Sequence, residues 1–254
     1  MCFGTGDGWP CVGRGHASFL YGLGGTSLLV DCGEPIDSRF KSTGLSYDTF
    51  DAILLSHLHA DHVGGLFMLL QGCWLEGRRK PLPIYLPSRA IPALRRMLRT
   101  VFIFDELLPF ELQLRPWPAK GAVRVRGARV SVFPTSHLNG FRAHFARKYR
   151  VDFRAYCLLL EGGGLRVGHS ADLGQPADLE PLLQKPLDLL VCELAHFAPE
   201  ALFSFLGGRK VKRVVFVHLS RTNWENLDQV RRLAKRLLPD IPHTFARDGE
   251  HIRI

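Results

Sequence analysis

No stretch of this sequence approaches the ~20 apolar residues that a membrane-spanning helix needs, although hydrophobic residues make up 46% of its 254 positions. A leader pattern is missing too. Met1-Cys2-Phe3-Gly4-Thr5-Gly6 has neither a basic flank nor a long apolar stretch, so no secretory signal is read there and the cytoplasm is the expected location. The first strand is short, with only three residues before Gly4, and the natural start could lie upstream. No two of the six cysteines (Cys2, Cys11, Cys32, Cys73, Cys157, Cys192) stand at Cys-x-x-Cys spacing, which argues against a structural zinc ribbon. Free or buried thiols are expected rather than disulfides. Cys32 and Cys192 end apolar runs and read as core. Repeats, low-complexity tracts and long polar linkers are also absent, so one domain over residues 1–254 is the expected organisation.

Acidic residues are outnumbered, 24 Asp and Glu against 33 Lys and Arg, for a net charge of +9. That excess favours anionic partners such as phosphate esters, nucleic acids or acidic surfaces. The basic residues fall in short clusters: Arg78-Arg79-Lys80, Arg95-Arg96, Arg209 to Arg213 and Arg231-Arg232. No aromatic-plus-basic recognition motif accompanies them, and each cluster reads as a solvated helix face or loop.

What is present is a mixed pattern of short apolar strands and helices. Ala17 to Tyr21 and Thr26 to Asp31 flank Gly22-Leu23-Gly24-Gly25 and predict a hairpin. Phe50 to Leu55 and Pro83 to Leu86 predict buried strands, and Val63 to Trp74 a helix. Ser88 to Thr100 predicts a second helix with Ser88 as its N-cap. Further strands are expected at Ala128 to Pro134, Ala155 to Glu161, Leu165 to His169, Leu187 to Cys192 and Arg213 to His218. Helices are expected at Pro176 to Leu183, Pro199 to Leu206 and Asn223 to Leu238. The order suggests an α/β fold of two mixed sheets face to face with helices outside. Arg99 to Trp117, rich in Phe, Leu and Pro, reads as a partly exposed apolar lid or an interface.

The chemistry concentrates in Ser56-His57-Leu58-His59-Ala60-Asp61-His62, between an apolar strand and an apolar helix. In extended chain, residues i, i+2 and i+4 project the same way, so His57, His59 and Asp61 could face one cavity. His62 opens the helix and can enter that cavity from another angle. Four ligands in six residues crowd one tetrahedral ion but suit two adjacent ions. Imidazole and carboxylate suit zinc, and also iron or manganese.

This run resembles the His-x-His-x-Asp-His signature of the metallo-β-lactamase superfamily. The resemblance covers nearly the whole chain. Gly4-Thr5-Gly6 looks like the family's opening, and Asp31-Cys32-Gly33 like its Asp-x-Gly turn. Val132-Phe133-Pro134-Thr135-Ser136-His137 looks like the third motif, Gly168-His169-Ser170-Ala171-Asp172 like the fourth, and Val214 to Arg221 like the fifth, which delivers His218. The resemblance implies a four-layer αββα sandwich and two divalent metal ions, zinc first, with Mn2+ or Fe2+ as alternatives. It assigns His57, His59 and His137 to one ion and Asp61, His62 and His218 to the other. Asp172 would bridge them, with a water or hydroxide between them as nucleophile. Taken singly, His137 could be a turn histidine, Asp172 a cap for the helix near Pro176, and His218 a strand-end core residue.

Within the superfamily the chain looks most like the ribonuclease Z and phosphodiesterase branch. The stretch Leu189 to Phe197 carries Glu193 and His196 three residues apart, where that branch has a Glu and a later His that handle protons. His196 would donate a proton to the leaving group and Glu193 would orient it. With Asp61 they are the candidate catalytic residues. Ser220-Arg221 after His218 resembles the branch's His-x-Ser-x-Arg. One departure stands out. Only 35 residues separate His137 from Asp172, too few for the branch's tRNA-binding arm. A smaller anionic ester, a phosphodiester and cyclic ones included, is expected in place of tRNA 3′ processing. The basic run Arg142 to Arg150 lies in that interval and reads equally as a phosphate contact or a solvated loop. The same scaffold also admits lactone, thioester or sulfate ester hydrolysis, a single-iron sulfur dioxygenase, or a nucleic-acid-binding protein that keeps its metals. A homodimer follows from the resemblance alone.

Overall fold

The computed structural model describes residues 1–254. Six strands form the first sheet in sequential order: β1 (Cys2–Gly4), β2 (Ser18–Leu23), β3 (Thr26–Val30), β4 (Ala52–Leu54), β5 (Leu82–Leu86) and β6 (Leu112–Pro116). The second sheet runs from β7 (Ala122–Val125) through β8 (Ala128–Thr135), β9 (Ala155–Gly162), β10 (Leu165–His169), β11 (Leu189–Leu194) and β12 (Val214–Leu219) to β13 (His243–Phe245). The helices are α1 (Ile36–Ser42), α2 (Ala60–Val63), α3 (Leu66–Leu75), α4 (Ile91–Thr100), α5 (Asn139–Phe145), α6 (Pro199–Leu206), α7 (Arg221–Glu225) and α8 (Leu227–Leu237).

Strand alternation builds the layers. Leu28, Val30 and Leu54 point into the space between the sheets, where they meet Val130, Leu158, Val167, Val191 and Val215. Their neighbours Leu29, Ile53 and Leu55 point outward onto Phe40 of α1, Leu69 and Leu70 of α3, and Leu94 of α4. On the far side Leu190, Cys192 and Phe216 pack against Leu202 and Phe203 of α6 and Val230 and Ala234 of α8. The result is the αββα sandwich. No helix is long and apolar enough to cross a membrane.

β3, β4 and β5 run parallel, as do β10, β11 and β12. β8 and β10 both pair antiparallel with β9, so they share a direction. Loops after the carboxyl ends of these strands therefore gather at one end of the sandwich, where ligand sites form in open sheets.

Several local expectations change. Gly64 and Gly65 split the helix expected at Val63 to Trp74 into α2 and α3. Ser88 does not cap α4: it begins a 3-10 turn, and its Oγ accepts from Arg154 Nη2. The stretch after Pro176 is a short 3-10 turn closed by a capping box between Gln175 and Asp178. Asn226 interrupts the helix expected from Asn223. Arg99 to Trp117 is partly strand β6, while Val101, Phe102 and Leu107 stay exposed. Arg78 is no solvated cluster member. It is 1% exposed and donates to the carbonyls of Tyr47, Phe50, Lys80 and Pro81.

Candidate metal centre

β4 ends at Leu54, and the chain then descends through Ser56 and His57 to the N-terminus of α2, where His59 occupies the N-cap position. Asp61 and His62 thus sit on a helical turn rather than on extended chain, and the expected i, i+2, i+4 projection holds only as far as His59. The turn still aims all four side chains inward. His137 arrives after β8, Asp172 after β10, His196 after β11, and His218 at the end of β12.

These residues converge. The candidate ligand atoms of His57, His59, His137 and Asp172 all lie within 4.8 Å of one another, as do those of Asp61, His62, Asp172 and His218. Asp172 faces both groups with different oxygens. Its Oδ2 is 3.7 Å from His57 Nε2 and 3.4 Å from His137 Nε2. Its Oδ1 is 3.2 Å from His62 Nε2 and 3.4 Å from His218 Nε2. Asp61 Oδ2 is 3.6 Å from His62 Nε2 and 3.8 Å from His218 Nε2. Ligands at ~2.0–2.1 Å from one tetrahedral zinc lie roughly 3.4 Å apart, so this spacing suits metal coordination. His57 Nε2, His62 Nε2 and Asp172 Oδ1 are buried without a hydrogen-bond partner. Unpaired buried polar atoms are costly, and a cation amid each group satisfies them.

Protonation divides the two groups. Burial holds His57 well below the ordinary histidine pKa and lowers His59, while His137 falls to about 4. Their lone pairs are available at neutral pH, as metal ligation requires. Burial also disfavours charge on His62, but Asp172 and Asp31 overcome it and raise its pKa. Burial penalises the Asp172 carboxylate, yet His218 and His62 hold it ionised far below the usual range.

A supporting layer fixes these groups, and the sequence reading assigned it no such role. Asp31 Oδ2 is 2.7 Å from His62 Nδ1, which leaves Nε2 for the centre. The Asp31 carboxylate also accepts from Ser56 N and Ser56 Oγ, each at 2.8 Å. The available signal was a lone carboxylate ending the apolar strand β3. Asp178, six residues after Asp172, accepts from Ser136 N, Ser136 Oγ and Gly174 N and so pins the His137 loop to the Asp172 loop. Asp188 accepts from Arg166 N and Lys212 Nζ. Asp31, Ala171 and His218 hold positive φ values of 57°, 45° and 50°. Such backbone persists only where surrounding contacts over-determine it. For His218 one contact is its N–H donating to Thr5 O at 2.7 Å. Thr5 in turn donates through N and Oγ1 to Asp248 Oδ1, and Asp248 also accepts from Gly15 N and Arg39.

Glu193 and His196 form a pair beside Asp172. Glu193 is fully buried and its Oε1 is 2.8 Å from His196 Nδ1. His196 Nε2 is 3.7 Å from Asp172 Oδ2, and the ring is one-third exposed (33%). Burial would lower the His196 pKa, but the hydrogen bond and charge of Glu193, with Asp172, lift it to about 9.

Residues 26–219 match the family described as "Beta-lactamase superfamily domain". The chain belongs to the metallo-β-lactamase superfamily, whose members are metal-dependent hydrolases. Ribonuclease Z sequences are among those it is similar to. It is 29% identical to the anti-Pycsar protein Apyc1 of Paenibacillus harenae over 65% of this chain and 73% of that protein. It is 36% identical to a ribonuclease Z of Lachnospira eligens, over 43% of this chain but only 35% of that enzyme's length. Among solved structures it resembles YhfI from Bacillus subtilis, with a TM-score of 0.77, 19% identity and coverage of 98% of this chain and 95% of that one. It also resembles human tRNase Z, short form, with a TM-score of 0.72, 21% identity and coverage of 100% and 98%.

Proposed function

We propose that this protein is a dinuclear metal-dependent phosphodiesterase. His57, His59 and His137 would hold one divalent ion, Asp61, His62 and His218 the other, and Asp172 both. The observation that carries the reading is the division of the Asp172 carboxylate, one oxygen toward each histidine set. Zinc suits this donor set first, with manganese or iron(II) as alternatives.

Such ions would supply a water of pKa lowered toward ~7 and positive charge for a substrate oxygen. The protein's own groups do the rest. Asp31 and Ser56 fix His62 and His57, so the ligand atoms are set before substrate arrives. His196, whose pKa Glu193 raises and whose ring is open to solvent on one side, is placed to give its Nε2 proton to the leaving oxygen. Glu193 fixes the tautomer and aim of that ring through Nδ1.

The similarity to ribonuclease Z sequences and the net charge of +9 support a phosphodiester substrate. Between His137 and Asp172 the chain is taken up by α5 and the β9–β10 hairpin, with no long arm. That supports a substrate smaller than a tRNA precursor, cyclic phosphodiesters included. The test is elemental analysis of the purified protein with a panel of chromogenic esters. Two ions per chain and turnover of bis(p-nitrophenyl) phosphate, lost on chelation and in His59→Ala, are expected. Robust lactone or ester hydrolysis without phosphodiester turnover would overturn the reading, and one iron per chain would point to a dioxygenase.

A further inference from the structure

Helix α5 buries none of its residues. It nonetheless carries large rings: Phe141 is 51% exposed, Phe145 43%, and Tyr149, in the turn that extends the helix, 48%. The Tyr149 N–H still donates to Phe145 O, so the helical spacing continues to that ring. Spaced i, i+4 and i+8, the rings lie on one face. Phe141 sits 5.4 Å from the His59 ring of the metal centre, Phe145 lies 6.0 Å from Phe141, and Tyr149 6.2 Å from Phe145. An aromatic row thus leads away from the centre through solvent.

Cations flank the row. Arg142, Arg147, Lys148 and Arg150 interleave with the rings, and the lining of an open cleft of about 800 Å³ beside them includes Arg89, Arg142, Tyr149, Arg150, Asp152 and Arg154. Arg154 is committed to Asp152, while the Arg89, Arg142 and Arg150 guanidinium groups have no carboxylate partner. This interleaving becomes legible only once the segment is known to be helical. Of the two readings the sequence left open for Arg142 to Arg150, it favours the phosphate contact.

We propose that Phe141, Phe145 and Tyr149 form a stacking ladder for the bases of a single-stranded oligonucleotide, whose phosphates lie against Arg142, Arg150 and Arg89 and lead into the metal centre. The inference rests on the phosphodiesterase reading and names its substrate class. Exposed rings with free cations are what sequence-tolerant single-strand binding uses, because every base offers a π face and every step a phosphate. A duplex keeps its bases stacked on one another and cannot use the ladder. A second copy of this chain is a poor occupant. Residues 139–154 carry five Lys and Arg against one Asp, so two such faces repel.

The test is fluorescence anisotropy of the purified metal-loaded protein with a labelled, hydrolysis-resistant phosphorothioate strand of about eight nucleotides, within the usual site size. The single strand binds at least about tenfold tighter than its duplex, and Phe145→Ala and Tyr149→Ala each weaken it about 5- to 100-fold. Phe145→Leu, which keeps apolar bulk without the ring, weakens binding like the alanine, and Phe145→Trp preserves it. Arg142→Gln with Arg150→Gln flattens the salt dependence by about 1.4 in log–log slope. Equal affinity for strand and duplex, or wild-type affinity in both alanine variants, overturns the ladder. So does a shift from dimer to monomer in those variants with strand affinity intact. Failure of bis(p-nitrophenyl) phosphate turnover would sink the phosphodiesterase reading, whereas full turnover with an unchanged dissociation constant would sink the ladder alone.

Discussion

Glu193 Oε1 lies 2.8 Å from His196 Nδ1, and the same oxygen accepts from Leu173 N at 2.7 Å, the residue directly after Asp172. One buried carboxylate therefore sets both the proton donor and the loop that presents the shared ligand. The His196 pKa of about 9 lies above the ordinary histidine value. Its protonated form therefore contributes stability fully below about 6.5, and that contribution is lost as pH rises through about 9. If His196 protonates the leaving oxygen, rate falls on the alkaline side. Two bound cations move that limb to or below pH 9, and Glu193→Gln moves it lower still. His196→Ala slows a ribose or alkyl leaving group about 10²–10⁴-fold and p-nitrophenolate far less, since the latter needs no proton. A pH–rate profile with both substrate types decides it, and equal losses would refute proton donation.

Asp172→Asn removes one charge from between the two histidine groups. Elemental analysis is expected to find one ion or fewer per chain, with far-UV circular dichroism unchanged. Retention of two ions would show that Asp172 bridges nothing.

Asp31 touches no proposed ion, yet it aims His62. Asp31→Asn is expected to weaken metal affinity about 10–100-fold, as loss of such supporting hydrogen bonds does. Competition against a zinc-binding dye measures it. Unchanged affinity would mean that backbone packing alone fixes the ring.

Arg78 gives four backbone carbonyls their donor inside the first helical layer and stacks 4.8 Å over Phe50. Arg78→Met keeps the stem but orphans those carbonyls, and it is expected to cost about 3 kcal/mol. Urea unfolding with an unchanged slope checks it, and a loss below ~1 kcal/mol would show that water replaces the guanidinium.

Elements with strong local patterns were readable from the sequence. β10 falls at Leu165–His169 as its run predicts, and the strands feeding the motifs are displaced by one to three residues at most. β6, β7 and β13 were not readable, because Leu112–Pro116 and His243–Phe245 are short edge strands whose pairing is set by neighbours far away in sequence. The His57 to His62 run announced its chemistry because four candidate ligands lie within six residues. His137, Asp172 and His218 are single residues, and only the fold shows that they meet. The roles of Asp31 and Asp178 were not readable for another reason: their work is done through hydrogen bonds to groups elsewhere in the chain.

Thr5 and Asp248 are 243 residues apart in the chain, and together they hold the carbonyl that receives the His218 N–H. On a ribosome the polypeptide emerges from one end only. Every histidine of the centre leaves the exit tunnel before Asp248 does. A nascent chain thus displays a full complement of imidazoles while the clasp behind His218 is still unmade. The His218 side of the centre therefore takes its final geometry only once Asp248 is in place, which makes that geometry a product of the fold rather than a nucleus for it.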